Sequence, residues 1–297
     1  MPGMPRGLSY KGRLIMPGLS GQQPIYWRMT MNDGSKEKIK KFALDLGVED
    51  VGFGAVSDYK SPLSPKVETI FPKAKSLVVL AFKELSNCES ENPRIAMGGR
   101  IDSMEFARSC IYKVSRFIEK EFDTKAMSTP LSYPLNMKPE NRFGLVADFS
   151  QRHAAVAAGL GNFGRNNLVI HPRLGSQVVF STILTELELT PDPPVTEALC
   201  IHCNICVENC PGRALDEEGK TDEFKCMRHS QPFGLGRNIR FWMKFIDSSP
   251  DEQKKLMLSP EYMSLYQAAF IGFEYHCYKC YVSCPVGKEK NKKDTTA

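Results

Sequence analysis

The chain has 297 residues, 42% of them hydrophobic and 25% charged, with a formal net charge of +5. It is long enough for one large or two modest domains and too apolar for a disordered chain. No stretch approaches the roughly 20 apolar residues of a membrane-spanning helix, and the N-terminus carries neither a signal-peptide core nor a twin-arginine pair, so a cytoplasmic location is expected. Residues 1–31 carry Arg6, Lys11, Arg13 and Arg28 without an acid, and the tail 287–297 sets four lysines against Glu289 and Asp294. The body between them is slightly acidic, so a general nucleic-acid-binding face is not supported.

In chain order, residues 1–35 are rich in Gly, Pro and Met, lack periodicity and read as a flexible leader, within which Met29 or Met31 offers an alternative start. A helix is expected from Ser35, because Ile39, Phe42, Ala43 and Leu46 recur at helical spacing before Gly47. Residues 51–56 alternate like a strand, and the continuous apolar run 76–82 suits a strand buried on both faces. Residues 102–122 form the longest amphipathic helix, with Cys110 on its apolar face; Cys88 lies in a polar stretch and is expected to be exposed. Residues 152–160 are Ala-rich and helical, with strands expected at 168–171 and 178–185. The proline-rich segment 190–194 is a stiff linker. These elements make an α+β domain over 36–190, since helices and strands mix without strict βαβ repetition. A cysteine-rich domain follows at 195–286, with a helical insert at 227–276 and a basic tail at 287–297.

Seven of the ten cysteines fall into two runs: Cys200-x2-Cys203-x2-Cys206-x3-Cys210-Pro211 and Cys277-x2-Cys280-x3-Cys284-Pro285. Thiolates at this spacing hold [4Fe–4S] clusters, and the cysteine of the x3-Cys-Pro ending reaches across to a second cluster. Two such endings imply two clusters and eight ligands, of which Cys226 is the missing one. One cluster is then assigned to Cys200, Cys203, Cys206 and Cys284, the other to Cys210, Cys226, Cys277 and Cys280. A zinc ribbon would use only four ligands and leave the Cys-Pro endings unexplained. His202 and His276 adjoin ligands and are expected to tune polarity near sulfur.

Gly159, Gly161 and Gly164 satisfy G-x-G-x-x-G, but a helix precedes them and a strand follows, the reverse of a dinucleotide site. A tight turn that admits a large cofactor or a cluster close to the backbone is the better expectation.

The stretch 152–189 followed by the first cysteine run resembles the cobalamin-dependent reductases: the epoxyqueuosine reductases and, more distantly, the reductive dehalogenases. Residues 38–56 and 71–82 resemble the N-terminal part of epoxyqueuosine reductases. The resemblance implies a nitroreductase-like, cobalamin-binding N-terminal domain joined to a ferredoxin-like two-cluster domain, with electrons passing through both clusters to a corrinoid that reduces a small molecule or a modified nucleoside. It also implies a one-electron donor such as a ferredoxin or flavodoxin. Asp148, in Val146-Ala147-Asp148-Phe149-Ser150, is the nearest match to the family's proton donor, displaced by a few residues; an N-cap role is the alternative. Tyr133 is a second donor candidate. Arg152, His153, Arg165 and Asn166 flank the glycine loop and are candidate cofactor contacts with Gly159, Gly161 and Gly164. Epoxyqueuosine reductases continue into a helical-repeat domain that helps hold tRNA, whereas this sequence stops soon after Cys284. That leaves open an electron-transfer protein serving a partner enzyme, or a tRNA-modifying reductase without that domain.

Overall fold

The computed structural model describes residues 25–132, 134–271 and 274–287. Residues 1–24 of the expected leader, Tyr133 and the tail from 288 lie outside the described residues. Helix α1 (Ile25–Asp45) starts well ahead of Ser35, so the last part of the segment read as leader is helical. It stops at Gly47, whose φ of +93° is the left-handed turn that closes many helix C-termini. The chain continues through β1 (Asp50–Ala55), β2 (Ser76–Lys83), α2 (Pro93–Phe122), β3 (Ala126–Ser128), α3 (Gln151–Ala157), β4 (Asn162–Phe163), β5 (Val169–Ile170) and β6 (Val178–Thr185). Helix α2 begins earlier than its periodicity indicates. Asn92 caps it by accepting from Arg94 N at 3.0 Å, Pro93 occupies its first turn, and the Gly98–Gly99 pair had masked the apolar stripe.

Strands β1, β2, β6 and β3 form an antiparallel sheet in that order. Leu80 of β2 stands opposite both Val51 and Ser181, and Met127 opposite Leu184. Every residue of β2 except Lys83 is buried. Val78, Leu80 and Phe82 pack with Ile39 and Ala43 of α1 and Val114 and Ile118 of α2. Leu77, Val79 and Ala81 face the other layer, built on Ala154, Ala155 and Ala158 with Phe149 and Phe180. The unbroken apolar run is thus buried on both faces, as its pattern indicates, but within an antiparallel rather than a parallel sheet. Small side chains bring α3 onto β1: a Cβ at Gly52 would lie 2.3 Å from Ala158 O, and one at Gly54 2.8 Å from Ala157 O.

The proline-rich linker is also a strap. Asp192 N donates to Phe53 O at 2.7 Å, its carboxylate accepts from Phe53 N at 2.9 Å, and Lys36 Nζ pairs with it at 2.7 Å. The outer edge of β1 is thereby occupied rather than open to another chain. Asp50, at the start of β1, is bound by His171 and Arg173. Burial opposes ionisation there, but those hydrogen bonds hold its carboxyl well below the usual carboxylate range.

Beyond the linker come α4 (Ile205–Glu208), α5 (Glu223–Ser230), α6 (Leu235–Ile246), α7 (Pro250–Met257), α8 (Pro260–Ile271) and α9 (Lys279–Ser283). The insert folds as a small bundle of α6, α7 and α8 around Phe241, Leu256 and Leu265. Cys110 is 2% exposed, as expected, but Cys88 is only 4% exposed: its polar turn is pressed against Tyr278, so the thiol packs inward.

Candidate metal centres and the adjoining cleft

The two cysteine runs do not close on themselves. Around the buried Cys206 thiol stand Cys200, Cys284 and Cys203; burial first, then these three neighbours, push that thiol up. Around Cys280 stand Cys277, Cys226 and Cys210; burial and then these neighbours push it up to about 12. Cys206 also reaches Cys280 electrostatically, so the two tetrads are adjacent. Each set joins residues from one run to the last cysteine of the other, and the second set takes in Cys226. Four thiols whose ionised forms repel one another around shared space are a donor set suited to a positive metal core, which would hold all four as thiolates.

Local backbone geometry builds this arrangement. His202, Asn204 and Arg213 have φ of +51°, +60° and +50°. Left-handed residues between ligands turn successive amides inward, as in the nests that surround anionic clusters. Arg165 N donates to Cys200 Sγ at 3.4 Å and Ala214 N to Cys210 Sγ at 3.3 Å. Helix α5, capped by Asp222 accepting from Lys225 N at 2.9 Å, presents Cys226. It sits close because position 212 is glycine: a Cβ there would lie 2.8 Å from Lys225 O. Among the described residues, no three His, Cys, Asp or Glu side chains converge on a site for one ion. A zinc ion would draw them to about 2.0–2.3 Å, whereas a cubane spreads four thiolates over its corners.

His276 Nε2 lies 2.5 Å from Glu274 Oε1, and its backbone N donates to Ser230 O at 2.7 Å, so it braces the chain beside Cys277. His202 is exposed, 4.0 Å from Glu218.

The glycine loop joins the two halves of the molecule. A Cβ on Gly159 would lie 2.4 Å from Pro193 O, one on Gly161 2.1 Å from Ile170 O, and one on Gly164 2.6 Å from the Ile170 side chain. The close approach these glycines permit is therefore to the chain itself. With φ of +152° and no room, Gly161→Ala is expected to cost at least about 2 kcal/mol. A chemical denaturation curve checks this, and an unshifted midpoint refutes it. The expected approach to a cluster falls one residue further on, at Arg165 N; the Arg165 guanidinium meanwhile donates to Asp216 O at 3.4 Å and Glu217 O at 3.3 Å. Asn166 is buried and donates to Cys280 O at 3.1 Å while accepting from Leu168 N at 3.2 Å, a brace between the glycine loop and the second cysteine run.

Asp148 is exposed, and the N-cap of α3 is Ser150, which accepts from His153 N at 3.5 Å. His153 Nδ1 lies 2.8 Å from the same hydroxyl; burial, then the nearby Arg152 cation, lower its pKa. Arg152 donates to Asn167 O at 2.6 Å.

Between the sheet, α2, α3 and α9 lies an open cleft of about 220 Å³. Its apolar wall includes Met104, Leu131, Val178 and Phe180, and Arg152, Gln151, Ser132 and Tyr281 supply polar groups. Tyr281 follows Cys280 directly, so the cleft and the second tetrad share a wall. Sequence reasoning missed the group that fixes this wall. Arg100 of α2 pairs with buried Glu84, donates to Tyr281 OH at 3.0 Å and stacks 5.2 Å from its ring, while Ser176 Oγ donates to Tyr281 O at 2.8 Å. The spacing Tyr275, Tyr278, Tyr281 around the second cysteine run was the available signal.

No family model matches the chain. An epoxyqueuosine reductase from Staphylococcus aureus is 27% identical over 217 residues, 65% of this chain and 55% of that protein. A crystal structure of epoxyqueuosine reductase with an epoxyqueuosine-modified tRNA-Tyr stem loop superposes with a TM-score of 0.55 at 19% identity, covering 87% of this chain and 66% of that one. A reductive dehalogenase whose structure suggests a mechanism for B12-dependent dehalogenation superposes at 0.52 with 17% identity, over 66% of this chain and 29% of its own. The chain spans a little over half the length of the curated relatives it matches. In sequence and in fold, the chain is a relative of the epoxyqueuosine reductases and, at greater remove in fold, of the reductive dehalogenases.

Proposed function

We propose that the chain is an iron–sulfur oxidoreductase. Cys200, Cys203, Cys206 and Cys284 hold one [4Fe–4S] cluster; Cys210, Cys226, Cys277 and Cys280 hold the other. The observation that carries this is the interleaving of the two runs into two adjacent tetrads, which no disulfide pairing or single zinc site requires. On this view the domain from 36 to 190 is nitroreductase-like and that from 195 to 286 ferredoxin-like.

The cleft is the proposed place for a cobalamin. Its apolar wall and few convergent polar groups match the chemistry of cofactor sites; at about 220 Å³ it would take one edge of a corrin, with the remainder outside. Bound there, a corrinoid would supply the reducing centre for an organic substrate, fed by single electrons from the clusters. The chain's own part is to hold Tyr281 rigid through Arg100 and Ser176, so that the wall common to cleft and second tetrad stays in place. Arg152 and Gln151 orient what enters. Asp148 stays in the proposal as proton donor through its place in the 146–150 segment, though it stands off the cleft wall and would have to turn inward. Tyr281, whose hydroxyl faces the cleft, is the alternative. By likeness to these relatives, a small organic molecule or a modified nucleoside is the proposed substrate class.

Iron and cobalt per chain, measured after anaerobic purification from cobalamin-fed cells, test this reading. About eight irons and about one cobalt are expected from two cubanes and one corrinoid. Eight irons without cobalt after soaking would leave the second reading, a ferredoxin-type electron carrier for a partner enzyme. Four irons or fewer would overturn the paired-cluster assignment.

A further inference from the structure

The first tetrad meets solvent. Cys203 is exposed, and Ile201 beside it is 65% exposed. The second tetrad backs onto the cleft instead. The chain that wraps the first tetrad is acidic: residues 195–222 expose Glu197, Glu208, Asp216, Glu217, Glu218 and Asp222 against only Arg213 and Lys220. The acids of the 216–218 turn are held at the tetrad. Arg165, whose backbone N bonds Cys200 Sγ, donates its guanidinium to Asp216 O and Glu217 O, and Glu218 lies 4.0 Å from His202, next to Cys203. The cations present are largely engaged, Arg213 with Asp216 at 3.0 Å and Lys220 with Glu217.

We propose that this face is where electrons enter, and that its acidic rim selects a one-electron carrier whose redox group is ringed by lysine or arginine. The acidic carriers expected from the resemblance have the wrong sign for it. This rests on the cluster assignment above. Each encounter moves one electron: the carrier is oxidised by one, and the cluster at Cys200, Cys203, Cys206 and Cys284 is reduced by one. Like charge across such a contact slows encounter, and opposite charge steers it.

The test uses the full chain with its clusters, so that the tail lysines Lys288, Lys290, Lys292 and Lys293 are counted in. Two donors share one bipyridinium ring: the methyl viologen radical, singly positive, and the sulfonatopropyl viologen radical, singly negative. Each gives up one electron as its colour bleaches. In stopped flow at low salt the cationic donor is expected to react about tenfold faster. That ratio should fall toward one in about 1 M salt, where charges are screened beyond about 3 Å. In Glu217→Lys/Glu218→Lys, both positions being exposed, it should fall severalfold. Equal rates in the native chain, or an unchanged ratio in the variant, would overturn the proposal. A protein without iron, which bleaches neither donor, would instead count against the cluster assignment.

Discussion

Replacing Cys226 by serine is expected to halve the bound iron, from about eight to about four atoms per chain. Cys226 stands outside both cysteine runs, yet α5 brings its thiol among Cys210, Cys277 and Cys280. Burial, and then Cys277 and Cys210, push that thiol up, while Ser230, whose hydroxyl lies 3.8 Å away, works the other way. A thiol in this position gains most from a metal, because ligation removes the mutual repulsion. The first tetrad shares no member with the second, so its cluster should survive. Cys88→Ser and Cys110→Ser are the controls. Neither thiol is among either set of four, Cys88 packing against Tyr278 and Ala96 and Cys110 in the core between α2 and the sheet, and iron should stay near eight. Anaerobic iron analysis reads the result, and an undiminished eight in Cys226→Ser would show that the second cluster has another ligand.

Arg100→Met should destabilise the fold by about 3–5 kcal/mol at pH 8, the range for removing one partner of a buried ion pair. Glu84 is 3% exposed, and the Arg100 side chain is buried between it and Tyr281. Methionine keeps much of the stem volume but leaves a carboxylate without its cation. Burial already raises the Glu84 pKa against the opposing pull of Arg100 and Ser103. Without Arg100 the pKa must rise further. A carboxyl with a raised folded-state pKa binds its proton more tightly folded than unfolded. The penalty is therefore present at high pH and shrinks as pH falls through the folded-state value. The deficit should be smaller at pH 5 than at pH 8. Thermal unfolding of both proteins at the two pH values checks this, and a pH-independent deficit would assign the loss to packing instead.

Local signals were legible where one residue type or one period decides the outcome. The run 76–82 declared a strand covered on both sides, and β2 is one, because the six apolar residues in succession after Ser76 leave no face for water. The apolar stripe ending at Gly47 located the last turns of α1. It said nothing of the turns before Ser35, where no such stripe exists. The α2 start was hidden because Gly98 and Gly99 interrupt the pattern, although Asn92 and Pro93 mark it as a cap and first turn. Cys88 was misjudged from its polar neighbours, since burial of a turn depends on what packs over it.

The tetrads show the same division in the candidate site. Spacing designates seven thiols, and Cys226 was added as the missing eighth; crossed pairing was the expectation, because a C-x2-C-x2-C loop reaches three corners of one cubane and sends its fourth cysteine elsewhere. The glycines of 159–164 were legible as a turn, but not as one that clears the carbonyls of Pro193 and Ile170, which only the folded chain brings against them. The Arg100, Glu84 and Tyr281 group was invisible, since its members lie in three separate elements and none is unusual alone. The sequence by itself determined the strand β2, the apolar stripes of α1 and α2 and the resemblance to the reductases, because these rest on residue identity and short-range spacing. Tertiary structure alone decided which surface of the first tetrad faces solvent, that a cleft adjoins the second, and which buried charges hold the seam. Those depend on contacts between separate segments of the chain, such as Arg100 with Tyr281 and Asn166 with Cys280, whose energies no local pattern encodes.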